Sequence, residues 1–306
     1  MHHIVGIDIG TSAVKLIIID EKQYLIKSVS IPLQTDHNDV GWSEQHPDIW
    51  WEAVVNGFTK LGLGRKELGK ITAIGVTGQM HGMVILDETM QPICPAILWN
   101  DSRAVHEAAI LHDTAPGLAE KTGVMPMAGL TAPKLLWLRN NQPENFKKIR
   151  WLLSPKDYVN FKLTGRIASD YSDAAGTWFL DQAKREWSKE AIALVGMSPD
   201  QFPELIESCD SQGCLTQEAS AQLGLSKKTI VAGGGGDTPV GALGLGCTRT
   251  GSAEISLGTS AHVLGVTQSY TPAVETLVHS FCHALPDTWF QMAAMLNGAS
   301  ALSWIC

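Results

Sequence analysis

Charged residues are scarce in this sequence. Only 18% of its 306 residues are charged, against about a quarter in typical soluble domains. Acidic residues outnumber basic ones, 31 to 23, which gives a net charge of −8. A nucleic-acid-binding protein needs a basic surface to displace counterions, so this class of function is excluded. The hydrophobic share of 44% excludes a disordered chain and favours an α/β enzyme with a large interior.

Long apolar runs and cysteine pairs are also missing. No stretch approaches the roughly 18 apolar residues that span a bilayer. The short run 16–19 is followed at once by Asp20, which argues against a signal peptide. The six cysteines form no C-x-x-C motif, and the two nearest are Cys209 and Cys214. This pattern predicts reduced thiols in a cytoplasmic protein without a membrane partner.

The common phosphate-binding and hydrolase motifs are absent as well. The sequence contains no G-x-x-x-x-G-K-[ST], H-E-x-x-H, G-x-S-x-G or zinc-type spacing. The four glycines at 233–236 imitate a dinucleotide loop, but the last glycine that this loop requires falls on Thr238 or Pro239. Asp237 would also oppose a pyrophosphate with a like charge. A metal, if present, is therefore expected to be Mg²⁺ that accompanies a nucleotide and is held by one or two carboxylates and water.

Hydrophobic periodicity predicts a mixture of strands and helices. Alternating or β-branched runs predict strands, and apolar residues at helical spacing predict helices. Strands are predicted at 4–9, 14–19, 24–31, 71–76, 83–86, 229–232, 253–257 and 262–266, helices at 50–61, 133–140, 155–163 and 292–306, and a loop at 169–177. The length favours about two domains, and we expect residues 1–228 and 229–306 to form them.

One short segment occurs twice. Residues 8–13 recur in similar form as residues 256–261, and both copies are predicted to form a strand, a turn and a second strand. The turns are Gly10, Thr11 and Ser12 in the first copy and Gly258, Thr259 and Ser260 in the second. One such turn reads as an ordinary hairpin, although its backbone N–H groups also suit phosphate oxygens. Two copies favour a duplicated fold with nucleotide phosphates held between two domains.

The first copy resembles a known phosphate loop. Asp8, the turn 10–12 and Lys15 are arranged as in the first phosphate loop of the FGGY carbohydrate kinases, and residues 129–141 resemble the signature of that family. Further similar stretches are 41–45, 78–82, 97–103, 153–158, 172–177 and 279–286, which extend over almost the whole chain. The resemblance implies an α/β protein with a duplicated actin-like, ribonuclease-H-like fold, in which the first domain is complete and the second incomplete.

The resemblance also implies an activity. FGGY kinases transfer a phosphoryl group from ATP, with Mg²⁺, to a sugar, and the similar stretches match most closely the members that convert D-xylulose to D-xylulose 5-phosphate. The alternatives are a sister kinase for another ketose or polyol, and a non-catalytic sugar-binding fragment without a complete ATP site. The expected partners are the sugar and ATP, and a homodimer is an expectation from the family alone.

Two aspartates are expected to carry the chemistry. Asp237 resembles the catalytic aspartate of the family, which acts as general base. From the residues alone, an N-cap for a helix starting at Pro239 is an equal alternative. Asp8 resembles the acid that orients Mg²⁺ or its water, with a turn-forming role as the alternative, so both aspartates are expected near the metal. For Lys15, a phosphate contact and a solvated side chain remain equal alternatives.

Sugar contacts are expected from two segments. Met80 and His81 resemble the sugar contact of the family, and the glycine-rich neighbourhood of His81 predicts a loop that faces a ligand. A lone His is more often structural, which is the alternative. The second sugar-side segment is expected to comprise Trp99, Asn100, Asp101 and Arg103. A core role for this segment is an equal alternative.

The sequence departs from the family pattern at three places. Thr238 follows the expected base where the most similar members carry Asn or Gln, which leaves the identity of the sugar open. Ala261 ends the second turn where glycine is usual. Few residues follow position 228, so we expect an incomplete second domain that lacks the adenosine-binding segment. A chain of this kind is expected to be a poor kinase.

Overall fold

The computed structural model describes residues 2–257, 261–295, 298, 299, 301 and 305. The strands are β1 (His3–Ile9), β2 (Ala13–Asp20), β3 (Leu25–Pro32), β4 (Glu44–Gln45), β5 (Ile71–Gly78), β6 (Val84–Leu86), β7 (Ala96–Ile97), β8 (Trp151–Leu153), β9 (Ala168–Asp170), β10 (Leu180–Asp181), β11 (Glu186–Trp187), β12 (Glu204–Ile206), β13 (Ser211–Cys214), β14 (Ile230–Ala232), β15 (Gly235–Gly236), β16 (Ala253–Leu257), β17 (Ala261–Thr267), β18 (His279–Cys282) and β19 (Trp289–Met295). The helices are α1 (Asp48–Leu61), α2 (Arg65–Leu68), α3 (Val105–Thr114), α4 (Leu118–Thr122), α5 (Thr131–Asn141), α6 (Pro143–Phe146), α7 (Pro155–Thr164), α8 (Tyr171–Ala174), α9 (Lys189–Leu194), α10 (Gln217–Leu223) and α11 (Asp237–Gly244). Within the described part of the chain, no helix has both the length and the hydrophobicity that crossing a membrane requires.

A mixed sheet forms the framework of the molecule. Its strand order is β13-β14-β5-β1-β2-β3, and β15 also pairs with β5. Strand β1 is antiparallel to β2 and parallel to β5. Alternation along β1 buries Val5, Ile7 and Ile9, as expected for a strand with one face on the core. The carboxyl ends of the parallel strands β1, β5 and β15 therefore lie at one edge, where ligands bind in open α/β sheets.

Helices cover this sheet. Helix α1 packs against β2 and β3, and α7 packs against β5. Trp50, Val54 and Phe58 recur at helical spacing on α1, and all three are buried. The helix ends at Gly62, whose φ of +58° is left-handed, a conformation that glycine adopts at little cost. The resulting core fixes the strands whose ends carry the site.

A second, antiparallel sheet has the strand order β16-β17-β19-β18. Its buried side chains include Leu264, Phe281 and Phe290. They belong to the same hydrophobic core as Met80 and Trp178. The second sheet therefore packs directly against the segment that follows β5.

Most of the predicted elements are confirmed. The two predicted strand–turn–strand units are the antiparallel pairs β1–β2 and β16–β17. The predicted helices near residues 50, 133 and 155 are α1, α5 and α7. The mixed α/β class is also confirmed. The second turn, Gly258, Thr259 and Ser260, lies outside the described residues.

One predicted element is wrong, one helix is predicted to start too early, and one domain boundary conflicts with the strand pairing. The expected loop at 169–177 contains the end of β9, helix α8 and a 3₁₀ turn, because the Asp170 side chain accepts a hydrogen bond from Ser172 N–H and caps α8. The expected helix from Met292 starts too early, because residues 292–295 belong to β19, which pairs with β17, whereas the described residues 299, 301 and 305 are helical. The division at residue 228 cuts through the first sheet, because β14 and β15 pair with β5. The two-domain division stays a prediction, and this pairing favours a boundary after α11.

Candidate active site

The first Gly-Thr-Ser turn connects β1 to β2. Gly10 N–H donates to Ala13 O (3.1 Å), and a Cβ at Gly10 would lie 2.9 Å from the same oxygen. The Thr11 hydroxyl donates to Gln79 Oε1 (2.9 Å) and accepts from Trp99 Nε1–H (3.0 Å). The Ser12 side chain is exposed. Thr11 therefore fixes the turn to the protein, and Ser12 presents a hydroxyl to solvent.

Asp8 lies at the end of β1, opposite Lys15 on β2 and Thr77 on β5. Burial raises the pKa of the Asp8 carboxyl, and the positive charge of Lys15 lowers it in part. Lys15 itself is exposed. On the neighbouring strand β5, the Thr77 hydroxyl donates to Gly235 O on β15 (2.8 Å). Asp8 therefore occupies the same sheet edge as the glycine run.

Asp237 is the first residue of α11 and directly follows β15. Its Oδ1 accepts a hydrogen bond from Thr238 N–H (2.8 Å). The N-cap position is Gly236, so Asp237 is not the N-cap residue that the alternative interpretation required. The carboxylate keeps contact with solvent, yet surrounding protein crowds it. That desolvation is the largest cause that raises the pKa of Asp237 to about 6, and the charge of Asp8 adds to it.

Met80 fills the space left by the glycine run. A Cβ on Gly236 would lie 2.7 Å from both Cγ and Sδ of Met80. The preceding Gly234 has a φ of +76°, and its Cβ would lie 2.0 Å from Val76 O. The contact with Val76 O excludes a side chain at Gly234 without a backbone shift, whereas at Gly236 the Met80 side chain would have to move. The glycines thus allow the chain that carries Asp237 to contact the Met80 side chain.

His81 follows Met80 in a left-handed conformation, with a φ of +68°. Its ring Nδ1 lies 2.6 Å from Gly176 O, so Nδ1 carries the proton and donates to this carbonyl. Burial lowers the pKa of His81 to about 3, so the ring is neutral at pH 7. In this tautomer Nε2 is an acceptor. The Thr131 hydroxyl and the Lys134 ammonium both donate to His81 O, each at 3.0 Å.

The residues of the second expected sugar segment differ in their exposure and in their hydrogen-bond partners. Trp99 is half-buried and donates to the first turn, and Asn100 is exposed. Asp101 and Arg103 are instead paired with each other: Arg103 Nε lies 2.9 Å from Asp101 Oδ1, and the terminal guanidinium nitrogen lies 2.7 Å from Asp101 Oδ2. Glu44 Oε1 accepts a further bond from Arg103 at 2.8 Å.

The contacts of Asp101 and Arg103 favour the core role that is the alternative for this segment. Both oxygens of Asp101 already accept bonds, because Ser43 N–H also donates to Oδ2 at 2.6 Å. The guanidinium carbon of Arg103 lies 3.6 Å from the ring centroid of Trp42, and the Arg103 side chain is only 2% exposed. These contacts indicate that both residues hold the segment together, and their contact with a sugar stays a prediction.

His262 and Glu254 form a hydrogen-bonded pair on the strands beside the second turn, and His262 lies close enough to Asp237 to influence its pKa. His262 Nε2 on β17 lies 3.0 Å from Glu254 Oε1 on β16. The positive form of His262 lowers the pKa of Asp237, against the larger effect of desolvation. The second sheet therefore faces the same carboxylate as β1.

The carboxylates of Asp8 and Asp237 fit a Mg²⁺ ion that arrives with a nucleotide. Within the described residues, no group of three or more His, Cys, Asp or Glu could hold a metal. The negative charge of Asp8 raises the pKa of Asp237, which means that the two carboxylates repel each other. A cation between them relieves this repulsion. Mg²⁺ is commonly held by one or two carboxylates, with substrate phosphates and water completing its shell.

Sequence reasoning missed a buried cluster behind the glycine run. Lys156, Asp157, Asp170 and Asp173 are each at most 2% exposed. Lys156 Nζ lies 2.6 Å from Asp157 Oδ1 and 2.9 Å from Asp170 Oδ1. The sequence predicts a helix at 155–163 and a loop at 169–177, and the resemblance to the family assigns no role to these four residues. The alternation of serine, lysine and aspartate beside apolar residues in the stretches 153–158 and 172–177 was the signal that could have revealed the cluster.

The chain is similar to known proteins over almost its whole length. The profile of the FGGY family of carbohydrate kinases, N-terminal domain, matches residues 3–244. The xylulose kinases of Escherichia coli (strain K12) and Klebsiella pneumoniae are 42% and 41% identical over 300 residues, which is 98% of this chain and 62% of each relative. The crystal structure of a xyloylose kinase from Brucella ovis has 43% sequence identity and a TM-score of 0.96, covering 99% of this chain and 63% of that one. The chain spans less than two thirds of the length of these relatives.

Proposed function

Because the chain belongs to the FGGY family of carbohydrate kinases, we propose that it takes part in the transfer of the γ-phosphoryl group of ATP to D-xylulose, which gives ADP and D-xylulose 5-phosphate. The relatives named as xylulose kinases, at up to 42% identity, support this sugar. Phosphoryl transfer needs a base for the attacking hydroxyl, two positioned substrates and neutralisation of the charge on the moving group.

The observation that carries the proposal is the meeting of three side chains at one sheet edge. Met80 follows β5 and contacts the glycine run that ends at Asp237. Asp8, at the end of the neighbouring β1, is close enough to influence the pKa of Asp237. A base, an apolar contact and a second carboxylate thus converge where substrates of α/β proteins bind.

Asp237 acts as the general base in this proposal. A carboxylate with a pKa near 6 is mostly ionised at pH 7, and it is more basic than an ordinary aspartate. Both properties favour removal of the proton from the attacking hydroxyl of the sugar. Its contact with solvent leaves room for that hydroxyl to approach.

Met80 and His81 contact the sugar in this proposal. The neutral His81 ring donates through Nδ1 to Gly176 O, so Nε2 accepts a hydrogen bond from a sugar hydroxyl. The Met80 side chain offers an apolar surface to the carbon skeleton. Trp99 and Asn100 remain candidates for further contacts. Asp101 and Arg103 act by holding this segment in place.

Phosphate binding is assigned to the two Gly-Thr-Ser turns. In the first turn, Gly10 and Ser12 contact phosphate oxygens, Thr11 keeps the turn in place, and the exposed Lys15 supplies positive charge. By resemblance to the family, Gly258, Thr259 and Ser260 contribute from the second turn. Asp8 and Asp237 would hold Mg²⁺ or its water. When bound, Mg²⁺ would neutralise part of the phosphate charge.

A second candidate substrate is another ketose or a polyol. Thr238, next to the proposed base, is half-buried, and its N–H donates to Asp237. This residue differs from the Asn or Gln of the members that the sequence resembles most. A change beside the base alters the groups that meet the sugar, so the choice of substrate requires measurement.

Calorimetry without nucleotide and a coupled assay of ATP consumption test the proposal. Both are run with D-xylulose and a panel of other ketoses and polyols, with Asp237→Asn as the inactive control. We expect D-xylulose to give the tightest binding and the highest kcat/KM. Preference for another sugar would support the second candidate, and no binding or turnover with any sugar would contradict both. A cytoplasmic location and a homodimer are further proposals, which cell fractionation and sedimentation analysis test.

A further inference from the structure

The buried cluster behind the glycine run is costly for the fold. It places three carboxylates and one ammonium at sites that are at most 2% exposed. Burial lowers the pKa of Lys156, but the carboxylates of Asp157 and Asp170 outweigh it, and the net direction is upward. Lys156 therefore stays charged. Buried ion pairs seldom stabilise a protein more than well-packed apolar residues would, which indicates a role for this cluster beyond stability.

The cluster is connected to both ends of the glycine run. Lys156 Nζ donates to Gly233 O at 3.1 Å. At the other end, Gly236 N–H donates to Ser172 Oγ at 3.2 Å, and Ser172 Oγ–H donates to Asp170 Oδ2 at 2.5 Å. Asp170 in turn lies 2.9 Å from Lys156 through its other oxygen. A continuous path of polar contacts thus joins the first and last glycines of the run.

The glycine run has few means of holding itself in place. Glycine has no side chain to pack and loses more conformational freedom on folding than any other residue. Only Gly235 and Gly236 pair with β5, and the next residue is Asp237. Contacts from the cluster therefore add side-chain restraint at Gly233 and Gly236, beside the bonds from Asn160 to Gly233 O (2.9 Å) and from Thr77 to Gly235 O (2.8 Å).

We propose that Lys156, Asp170 and Ser172 are positioning residues that hold the glycine run so that Asp237 projects into the site. The inference rests on the proposed function, because it takes Asp237 as the base. None of the three residues is assigned a contact with substrate. They act through Gly233 and Gly236, and a loss of positioning should lower kcat more than sugar affinity.

A pair of serine variants separates positioning from stability. Ser172→Ala removes the hydroxyl that links Asp170 to Gly236 N–H. Ser208→Ala is the matched control, because Ser208 Oγ donates to the same Asp170 oxygen at 2.7 Å. The control preserves the contact of Ser208 with the run, which is a bond from Gly234 N–H to its backbone carbonyl. Lys156→Met is less suitable, since it leaves buried carboxylates without their cation and threatens folding.

We expect Ser172→Ala to lower kcat for D-xylulose by about tenfold or more, since small misplacements of reacting groups cost up to about a hundredfold. Its Kd for D-xylulose, from calorimetry, should change little. Ser208→Ala should keep kcat near that of the wild type. Equal kcat losses in the two variants, or no loss in Ser172→Ala, would overturn the proposal.

A second readout keeps the inference testable if the proposed function fails. Failure of that function is seen in the wild-type chain, as absence of D-xylulose binding and turnover. In that case, NMR of the same variants decides the inference. Faster amide exchange at Gly236 together with a displaced Asp237 amide signal, in Ser172→Ala only, would support positioning. If both variants showed these changes equally, or if the Asp237 amide signal did not move in Ser172→Ala, the proposed positioning role would be overturned.

Discussion

Gly236→Ala tests the close contact between the glycine run and Met80. The backbone of Gly236 has φ −56° and ψ 149°, which alanine adopts without strain. The cost is therefore steric alone. The new Cβ would lie 2.7 Å from Met80 Cγ and Sδ, whereas carbon atoms in contact stay about 3.5–4.0 Å apart. Met80 is 5% exposed and belongs to the core shared with the second sheet, so it must shift within a packed environment.

We expect Gly236→Ala to lower the free energy of unfolding by about 1–3 kcal/mol, the usual cost of overpacking a core. Because Met80 is displaced, the affinity for D-xylulose should fall as well. Urea unfolding followed by tryptophan fluorescence measures the first effect, and calorimetry measures the second.

Gly241→Ala in α11 is the matched control. A Cβ at Gly241 meets nothing within 4 Å beyond its own helix, and alanine in a helix interior gains about 0.5–1 kcal/mol over glycine. The two substitutions should therefore change stability in opposite directions. A double variant, Gly236→Ala with Met80→Ala, should cost less than the sum of its parts, since the smaller side chain relieves the contact. Equal stability of the two single variants, or additive costs in the double variant, would refute this reasoning.

The remaining predictions concern the site. Asp237→Asn should lower the rate of phosphoryl transfer by about 10²–10⁴ and leave calorimetric binding of D-xylulose nearly intact; a rate close to that of the wild type would remove Asp237 as the base. Because desolvation raises the pKa of Asp237 to about 6 and the base acts when ionised, kcat/KM should be low below that pH and rise as the pH increases through about 6. Asp8→Asn should move that rise to lower pH, since the repulsion from Asp8 is lost; an unmoved pH profile would contradict the proximity of the two carboxylates. His81→Ala should weaken D-xylulose binding by about 1–3 kcal/mol for a lost hydrogen bond, and an unchanged Kd would make His81 structural. Asp101→Asn should cost about 3–5 kcal/mol in urea unfolding, because it weakens a buried pair with Arg103, and a negligible loss would show that the pair contributes little.

The strands and long helices could be predicted because their patterns are local. In β1 and β2 the buried residues alternate with more exposed ones, and α1 repeats its buried residues at helical spacing. The segment 169–177 was missed because its abundant serine, aspartate and glycine are typical of loops. There the Asp170 side chain caps a short helix. An aspartate that caps a helix and one that forms a turn occur in similar local sequences, so the pattern does not distinguish them.

The site could be predicted only in part, for a similar reason. Asp237 directly follows four glycines and Asp8 lies two residues before the Gly-Thr-Ser turn, and the sequence shows both directly. The pairing of Arg103 with Glu44 joins residues far apart in the chain, so only the fold reveals that Arg103 is committed. The cluster around Lys156 likewise draws on three separate elements, α7, β9 and α8. Contacts between distant segments are invisible to periodicity.

The pairing of β5 with β1 on one side and β15 on the other has a consequence for substrate selection. Asp8 and Gly235 both lie opposite Thr77, so their backbones are two strand spacings apart, about 9–10 Å. Strand pairing sets this width, and a hydrogen bond from the Thr77 hydroxyl to Gly235 O adds to it. In the proposed function, substitutions of side chains around the site can therefore change which sugar binds while the strand pairing keeps the backbones of Asp8 and Gly235 at this separation.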